Sequence, residues 1–213
     1  MTGNYDERKK EVLAWTKQAY SEKLFAGTSG NLSSFNPVDN TIVITPSSIP
    51  YETMIEDDIM VIALDGTVIE GKHKPSSEWR MHAAIYKGKK GVNAVVHTHS
   101  PYATSFAVNH ERIPVILIEM VPFIGGDVPV STFALPGTEE VGIEALKVLN
   151  DRNACLMENH GVVSIGKDLQ QAHIRAVYVE DAAKIYHFAK LNGPVFIMEP
   201  KYIDAMLERI RNK

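Results

Sequence analysis

The chain has 213 residues, of which 45% are hydrophobic and 23% are charged, and its formal net charge at pH 7 is -4. This is the composition of an ordinary globular protein, and the length fits one domain with a sizeable core. A weakly acidic balance argues against nucleic acid or an anionic membrane surface as the main partner. The single cysteine, Cys155, excludes an intrachain disulfide and favours a reducing compartment.

The N-terminal residues are polar and lack the apolar segment of a secretory signal. No apolar run approaches the roughly 18 residues that a membrane-spanning helix needs. The sequence therefore predicts a cytoplasmic protein that does not enter a membrane.

The predicted elements mix helices and strands along the whole chain. Apolar residues at helical spacing predict helices, and short apolar or β-branched runs between turn residues predict strands. The predicted helices cover residues 6–25, 75–86, 100–108, 137–149, 168–192 and 201–211. The predicted strands cover residues 41–45, 59–64, 67–69, 93–99, 114–118, 154–157 and 162–165.

Several residues mark the boundaries of these elements. Gly27 is the predicted C-cap of the first helix, and Pro75 is the predicted first-turn proline of the second. Thr138 and Asp168 are candidate N-caps, and Asp65-Gly66 is typical of a hairpin turn. Because strands and helices do not alternate strictly, we expect a mainly antiparallel or mixed sheet covered by helices.

One predicted strand runs directly into two histidines, His97 and His99. Side chains at i and i+2 of a strand point to the same face, so these imidazoles can offer two ligands to a transition metal. His160, in a turn between two apolar strands, is the best candidate for a third ligand. Three histidines and an open position are typical of catalytic zinc. The alternative is an inert strand end and turn, since short metal-like patterns have many false positives.

The other five histidines lie on predicted helices, at helix ends or in a lysine-rich loop. Nothing in their spacing indicates a ligand, so they are interpreted as ordinary surface or core residues. They are His73, His82, His110, His173 and His187.

Three short clusters carry hydroxyls and free backbone N–H groups of the kind that bind phosphate. Residues 74–78 stand at a predicted helix N-terminus, where the helix dipole attracts anions. Residues 27–31 and 46–50 add glycines and hydroxyls in turns. Helix capping and plain turns explain each cluster separately. Three together favour a phosphate site, provided that the fold brings them to one place.

Glu78 directly follows the paired serines Ser76 and Ser77 in the cluster of residues 74–78. Near a metal, such a carboxylate can move a proton on a bound substrate. The helix terminus and the metal lower its pKa, whereas burial raises it.

In combination, these motifs resemble those of the class II aldolase/adducin family. The matching stretches keep the family's order over about residues 8–190. They are Gly27-Thr28-Ser29-Gly30-Asn31-Leu32-Ser33, Ile44-Thr45-Pro46, Lys74-Pro75-Ser76-Ser77-Glu78, Val96-His97-Thr98-His99-Ser100 and Asn159-His160-Gly161.

The resemblance implies a single-domain α/β fold over residues 1–213, in three α/β/α layers around a central, mostly antiparallel sheet, with a helical tail over residues 194–213. It also implies a homotetramer with active sites at the subunit interfaces.

The resemblance assigns roles to individual residues. It implies a Zn²⁺ ion, or another divalent ion such as Mn²⁺ or Co²⁺, on His97, His99 and His160, with Glu78 as the acid/base carboxylate. Tyr202, in the tail, is a candidate for the family's tail tyrosine, which acts in a neighbouring subunit. The residues implied to hold a substrate phosphate are Gly30, Asn31, Ser47, Ser48, Ser76 and Ser77.

Within the family, the motifs are most similar to those of enzymes that cleave L-fuculose 1-phosphate. The implied reaction is reversible C3–C4 cleavage of a ketose 1-phosphate to dihydroxyacetone phosphate and an aldehyde, here L-lactaldehyde. The alternatives are a 4-epimerase of L-ribulose 5-phosphate and a methylthioribulose-1-phosphate dehydratase. Glu78 favours the aldolase over the epimerases, which usually carry Asp there. A non-catalytic adducin-like domain is disfavoured, because such domains have lost the metal ligands.

Three features depart from the family's pattern. Ser48 stands where the most similar members usually have Gly, so the loop loses conformational freedom. Residues 116–121 lack the tyrosine that such enzymes place near the aldehyde, and the tail offers only Tyr202. These departures leave the phosphate and metal chemistry in place. They do not indicate which aldehyde the enzyme releases.

Overall fold

The computed structural model describes residues 5–212, so the first four residues of the polar N-terminus and Lys213 lie outside the described part. Within it, eight strands form one sheet in the order β4-β3-β2-β1-β5-β8-β7-β6. The strands are β1 (Asn31–Asn36), β2 (Thr41–Ile44), β3 (Met60–Ala63), β4 (Val68–Glu70), β5 (Ala94–Thr98), β6 (Val130–Ser131), β7 (Ala154–Met157) and β8 (Gly161–Gly166). Every neighbouring pair is antiparallel except β6 and β7.

Helices cover both faces of the sheet and complete three layers. Two of them, α2 and α5, pack on one face, and α1, α3, α4 and α6 pack on the other. The helices are α1 (Asp6–Ser21), α2 (Trp79–Gly88), α3 (Pro101–Val108), α4 (Met120–Ile124), α5 (Glu140–Leu149), α6 (Leu169–Asn192) and α7 (Pro200–Arg211). The prediction of a three-layer α/β fold with a mostly antiparallel sheet is confirmed.

The central position of β5 explains its apolar sequence. It pairs with β1 on one side and β8 on the other, so no edge of it faces solvent. Val95 packs in the apolar cluster beneath α2 and α5, whereas Val96 packs in the cluster on the opposite face. A strand buried on both faces needs a continuous apolar run rather than an alternating one.

Two predicted boundary signals are confirmed. The Asp168 carboxylate accepts a hydrogen bond from the Gln171 N–H at 2.7 Å and caps α6. The Asp65 carboxylate accepts from the Thr67 N–H at 2.9 Å in the turn before β4. In both cases the short side chain satisfies a backbone donor that the turn or helix start leaves unpaired.

Three predicted boundaries are wrong. The first helix ends at Ser21 rather than residue 25, because Lys23 adopts a left-handed φ of 63°, and Gly27 is therefore not its C-cap. The second helix begins at Trp79, because Pro75 instead forms a β-bridge with Pro46. Thr138 caps nothing, since its hydroxyl donates to the Leu135 carbonyl at 2.7 Å and α5 begins two residues later.

Strand assignments also differ, and β6 is among the strands that the sequence does not predict. Residues 114–118 form no strand but lead through turns into α4, and the Val115 carbonyl accepts from the Met198 N–H at 2.9 Å in the tail. Conversely, β1 was not predicted, because its Asn-Leu-Ser-Ser-Phe-Asn sequence is too polar to signal a central strand. Among the described residues, no helix has both the length and the apolar character to cross a bilayer.

Candidate active site

Four side chains meet where β5 ends, β8 begins and α2 begins. Glu78, His97, His99 and His160 each offer one potential metal-ligating atom, and these four atoms all lie within 4.8 Å of one another. His97 Nε2 is 2.9 Å from both Glu78 Oε2 and His99 Nε2, and His160 Nε2 is 3.1 Å from Glu78 Oε1. The structure thus brings together the three histidines and the carboxylate that the sequence singled out.

The strand geometry delivers the first two histidines as predicted. His97 is in β5 and His99 directly follows it, and their ring centroids are 4.7 Å apart on the same side. His160 comes from the β7–β8 turn, and its ring centroid is 4.8 Å from that of His97. The hairpin therefore presents the third imidazole to the end of the central strand.

Two residues of the β7–β8 turn allow it to place His160 beside the histidine pair. Asn159 adopts a left-handed φ of 52°, a conformation that asparagine tolerates better than most residues. Gly161 packs against β5 so closely that an added Cβ would lie 2.4 Å from the Thr98 carbonyl oxygen and 3.2 Å from His97 Cε1. Only glycine lets the hairpin approach the histidine pair at this distance.

We expect Gly161→Ala to destabilise the protein by about 1–3 kcal/mol, the usual range for overpacking a well-filled site. Urea unfolding of the metal-free protein measures this loss. Gly91→Ala is the comparison for backbone strain without overlap, because Gly91 has a positive φ of 81° but an added Cβ there would meet no atom within 4 Å, whereas Gly161 has no positive φ. A Gly161→Ala protein as stable as the wild type would contradict the steric account.

The hydrogen bonds around His97 fix which of its nitrogens faces the cluster. His97 Nδ1 lies 2.8 Å from the Val162 carbonyl oxygen, and since a carbonyl only accepts, Nδ1 carries a hydrogen. Nε2 therefore points at Glu78 and His99. A backbone carbonyl behind a histidine is the usual way that proteins orient a metal ligand.

The charges within the cluster oppose one another. Burial raises the pKa of Glu78, but the charge of His97 and the contacts with His160 outweigh it and hold that pKa well below its usual range. Burial lowers the pKa of His99 to about 3, and the charges of His97 and His160 add to the effect. For His97, burial also opposes the charged form, but the Glu78 charge raises the pKa. The cluster thus combines an ionised carboxylate with at least one neutral imidazole.

This donor set fits a divalent metal ion. Imidazole nitrogens with a carboxylate oxygen are ligands that Zn²⁺ and related ions accept. Glu78 Oε1 is buried and lies 3.1 Å from His160 Nε2, but the two atoms do not have the geometry of a hydrogen bond, and no other residue between Tyr5 and Asn212 donates to this oxygen. A buried carboxylate oxygen without a donor is costly in a protein alone, and a cation at this point satisfies it.

The predicted phosphate clusters converge on the same place. A cleft of about 260 Å³ is lined by the hydroxyl and backbone groups of these clusters together with Glu78, His99 and His160. Its lining includes all six residues expected at the phosphate, namely Gly30, Asn31, Ser47, Ser48, Ser76 and Ser77. His97 lies beneath this surface and is fully buried.

Long-range backbone pairing holds two of these clusters together. The Ser76 N–H donates to the Thr45 carbonyl at 3.0 Å, and the Ser47 N–H donates to the Lys74 carbonyl at 2.9 Å. These bonds explain why α2 begins late, since the preceding residues are extended against the other loop. Ser48 adopts a left-handed φ of 61°, which glycine would reach at lower cost.

The cluster of residues 27–31 needs glycine at position 30. Its φ is 99°, and an added Cβ would lie 2.5 Å from the Phe25 ring. The Tyr51 hydroxyl donates to the Gly30 carbonyl at 2.6 Å and anchors the loop from below. The chain can therefore enter β1 directly at Asn31.

Sequence reasoning missed the contacts of two residues. Asn31 Nδ2 donates to Glu78 Oε2 at 3.0 Å, and Asn31 Oδ1 lies 2.5 Å from His82 Nε2, so both ends of the amide face inward. Of the surface and core positions that the sequence left open for His82, the structure shows the core, and it places the residue behind the site. Its spacing of four residues from Glu78 was a usable signal, because such residues share one side of a helix.

Tyr202 lies apart from this cleft. It stands on α7, its side chain is 54% exposed, and it does not line the cleft of its own chain. Ile118, in the region that lacks the expected tyrosine, is also exposed, at 59%.

Comparisons with known proteins show the family to which this chain is similar. The sequence profile of the class II aldolase and adducin N-terminal domain matches residues 10–187. A 5-deoxy-D-ribulose 1-phosphate aldolase of Bacillus thuringiensis serovar kurstaki is 34% identical over 197 residues, covering 92% of this chain and 90% of the relative. An L-fuculose phosphate aldolase of Escherichia coli strain K12 is 33% identical over 186 residues, covering 87% and 85%. A solved L-fuculose 1-phosphate aldolase has a TM-score of 0.91 and 35% identity, covering 96% of both chains.

The profile and the relatives cover most of the chain, and the relatives are themselves covered nearly in full. Class II aldolases are metal-dependent enzymes, and the cluster around Glu78 offers the ligands that a metal needs. The chain belongs to the class II aldolase and adducin family and is a lyase of the aldolase type.

Proposed function

We propose that this protein is a metal-dependent aldolase that reversibly cleaves a ketose 1-phosphate into dihydroxyacetone phosphate and an aldehyde. The observation that carries the proposal is the single cleft shared by the serine-rich loops and the Glu78–histidine cluster. A phosphate held by the serine-rich loops of this cleft would leave the adjoining sugar carbons within the same cleft as the cluster. That arrangement suits a substrate with phosphate on C1 and the breaking bond between C3 and C4.

We assign the metal to His97, His99 and His160, with Glu78 as a fourth donor that a substrate can displace. The nitrogen-rich set favours Zn²⁺, and Mn²⁺ or Co²⁺ are the alternatives. A divalent ion held there supplies Lewis-acid stabilisation of the negative charge that develops on the substrate oxygens as the C–C bond breaks.

We assign the substrate phosphate to six residues of the loops that line the cleft. Hydroxyls and main-chain N–H groups near the start of α2 are suited to an anion. The Asn31 amide is already engaged by Glu78 and His82, so we expect this residue to contribute through its main chain. The six residues are Gly30, Asn31, Ser47, Ser48, Ser76 and Ser77.

Glu78 is the residue that we assign to proton transfer. In cleavage the C4 hydroxyl gives up its proton as the aldehyde forms, and the electron pair of the C3–C4 bond stays on C3 of the dihydroxyacetone phosphate half. Glu78 takes up one proton and delivers it to C3, so that the protons balance. In the synthetic direction the ionised carboxylate removes the same proton. Burial raises the pKa of Glu78, but the neighbouring histidines lower it further, so the carboxylate is ionised and can accept that proton.

The proposed substrate is L-fuculose 1-phosphate, with 5-deoxy-D-ribulose 1-phosphate as a second candidate. The first is supported by the name of the Escherichia coli relative and the second by that of the Bacillus thuringiensis relative. Both sugars share the half that the phosphate loops and the metal would hold. They differ in the aldehyde released, which is L-lactaldehyde from the first and acetaldehyde from the second.

A substrate panel tests this proposal. We expect protein loaded with Zn²⁺, Mn²⁺ or Co²⁺ to release dihydroxyacetone phosphate from at least one of the two ketose 1-phosphates, measured by a coupled assay and by NMR of the aldehyde. L-Ribulose 5-phosphate and methylthioribulose 1-phosphate complete the panel. Inversion of the former or dehydration of the latter, without any C–C cleavage, would assign the protein to another activity of the family. Protein that binds no divalent metal and turns over nothing would point to an adducin-like role.

A homotetramer in the cytoplasm, with sites at the subunit interfaces, stays a prediction from the family resemblance. In such a tetramer Tyr202 can act in the cleft of a neighbouring subunit, because it lies outside the cleft of its own chain. Sedimentation measures the oligomeric state, and a Tyr202→Phe variant tests whether the Tyr202 hydroxyl contributes to activity.

A further inference from the structure

A chain of buried polar groups continues from Glu78 into the core. Asn31 Nδ2 is 3.0 Å from Glu78 Oε2, and Asn31 Oδ1 is 2.5 Å from His82 Nε2. His82 Nδ1 is in turn 2.6 Å from Ser33 Oγ, which lies 2.7 Å from the Tyr86 hydroxyl. His82 and Ser33 are fully buried, and no more than 7% of any other member is exposed.

The hydrogens in this chain have one consistent arrangement. Ionised Glu78 can only accept, so Asn31 must turn its NH₂ group toward it. The Asn31 carbonyl oxygen then faces His82 and requires a donor, which places the imidazole hydrogen on Nε2. Nδ1 is left without a hydrogen and accepts from the Ser33 hydroxyl. Each group thereby determines the orientation of the next.

His82 is held neutral at the centre of this chain. Burial lowers its pKa to about 3, and the charge of His97 acts in the same direction. A neutral imidazole is both a donor and an acceptor, whereas a protonated one would have no acceptor for Ser33. Geometry and charge therefore agree on a single tautomer.

We propose that His82 is a positioning residue for the Glu78 carboxylate. By donating to Asn31 Oδ1, it keeps the Asn31 NH₂ group on Glu78 Oε2. This leaves Oε1, the oxygen 3.1 Å from His160 Nε2, as the one that exchanges a proton with substrate. Without His82 the amide is free to rotate, and its oxygen would then repel the carboxylate. The inference rests on the proposed aldolase function, in which Glu78 moves the proton.

The kinetic test compares two replacements of His82. We expect His82→Leu to lower kcat per bound metal by about 10- to 100-fold, the usual effect of removing a supporting residue behind a metal site. KM and metal content stay near the wild-type values, because neither the phosphate loops nor the three histidine ligands change. His82→Gln keeps an N–H donor at the position of Nε2 and recovers most of the lost rate.

His173→Leu is the matched control for the loss of a buried histidine. His173 is only 3% exposed and its Nε2 lies 2.7 Å from Glu22 Oε2, but it belongs to neither the cleft nor the cluster. We expect this variant to lose stability without a change in kcat. A His82→Leu protein with wild-type kcat, or a His82→Gln protein no better than His82→Leu, would overturn the positioning role.

A spectroscopic measurement separates this inference from the proposed function and does not depend on any variant folding. The ¹⁵N NMR signals of His82 in the wild-type holoenzyme are expected to show hydrogen on Nε2 and none on Nδ1. The opposite tautomer overturns the inference even if the enzyme cleaves a ketose 1-phosphate. A wild-type enzyme inactive on the whole panel overturns the proposed function, whichever tautomer is found.

Discussion

Glu78→Gln lowers kcat for ketose 1-phosphate cleavage by about 10²- to 10⁴-fold, the range that general acid–base catalysis contributes, while the protein stays folded. An amide of the same size fills the same space but neither takes up nor releases a proton at C3. The three histidines remain, so the metal stays bound. The measurement is release of dihydroxyacetone phosphate at saturating substrate, with the metal content of the same sample determined by elemental analysis.

Glu158→Gln is the control for this experiment. Glu158 lies two residues before His160, but its carboxylate accepts from the Phe133 N–H at 2.9 Å and does not belong to the ligand cluster. We expect its loss to leave the rate within a small factor of wild type. Full activity in the Glu78→Gln protein would remove Glu78 from the proposed mechanism.

His160→Ala is expected to abolish activity by weakening metal binding. Residues outside the ligand set are worth about 10- to 100-fold in affinity or activity, so loss of a direct ligand should exceed that range. The metal-free protein should keep its melting temperature, because the side chain comes from a turn whose backbone is unchanged. The rise in melting temperature on adding Zn²⁺ should largely disappear, since that rise depends on affinity for the folded state.

His110→Ala tests whether this effect belongs to the ligand or to the hairpin. His110 Nε2 lies 2.7 Å from Asn159 Oδ1, so it supports the same turn from outside the cluster. Its loss should leave the metal-dependent rise in melting temperature in place. Unchanged metal stoichiometry in the His160→Ala protein would show that the metal lies elsewhere.

The sequence could predict those parts of the site that depend on local geometry. His97 and His99 share a face because strand residues alternate, and Asp168 caps α6 because a short carboxylate satisfies a nearby N–H. The convergence of the phosphate clusters had no local signal. It depends on long-range pairing, such as that of Pro46 with Pro75, and alternation alone does not specify which strands become neighbours.

The late start of α2 has the same origin. Pro75 is well suited to a first helical turn, but its pairing with Pro46 keeps residues before Trp79 extended. Tertiary contacts here override a local preference. The missed strand β1 is similar, because it places Asn31 directly opposite His97 through a register that its polar sequence does not reveal. The link between Asn31, Glu78 and His82 follows from that register.

The most direct test of the account uses dihydroxyacetone phosphate alone, without any aldehyde. If the phosphate loops, the metal and Glu78 act together on this half of the substrate, metal-loaded wild-type protein in D₂O will exchange one C3 hydrogen for deuterium. Proton NMR follows the loss of that signal, and the Glu78→Gln and His160→Ala proteins should not show it above the background rate. The result does not depend on which aldehyde the enzyme uses. Absence of exchange in the metal-loaded wild type would contradict the assignment of this cleft to aldolase chemistry.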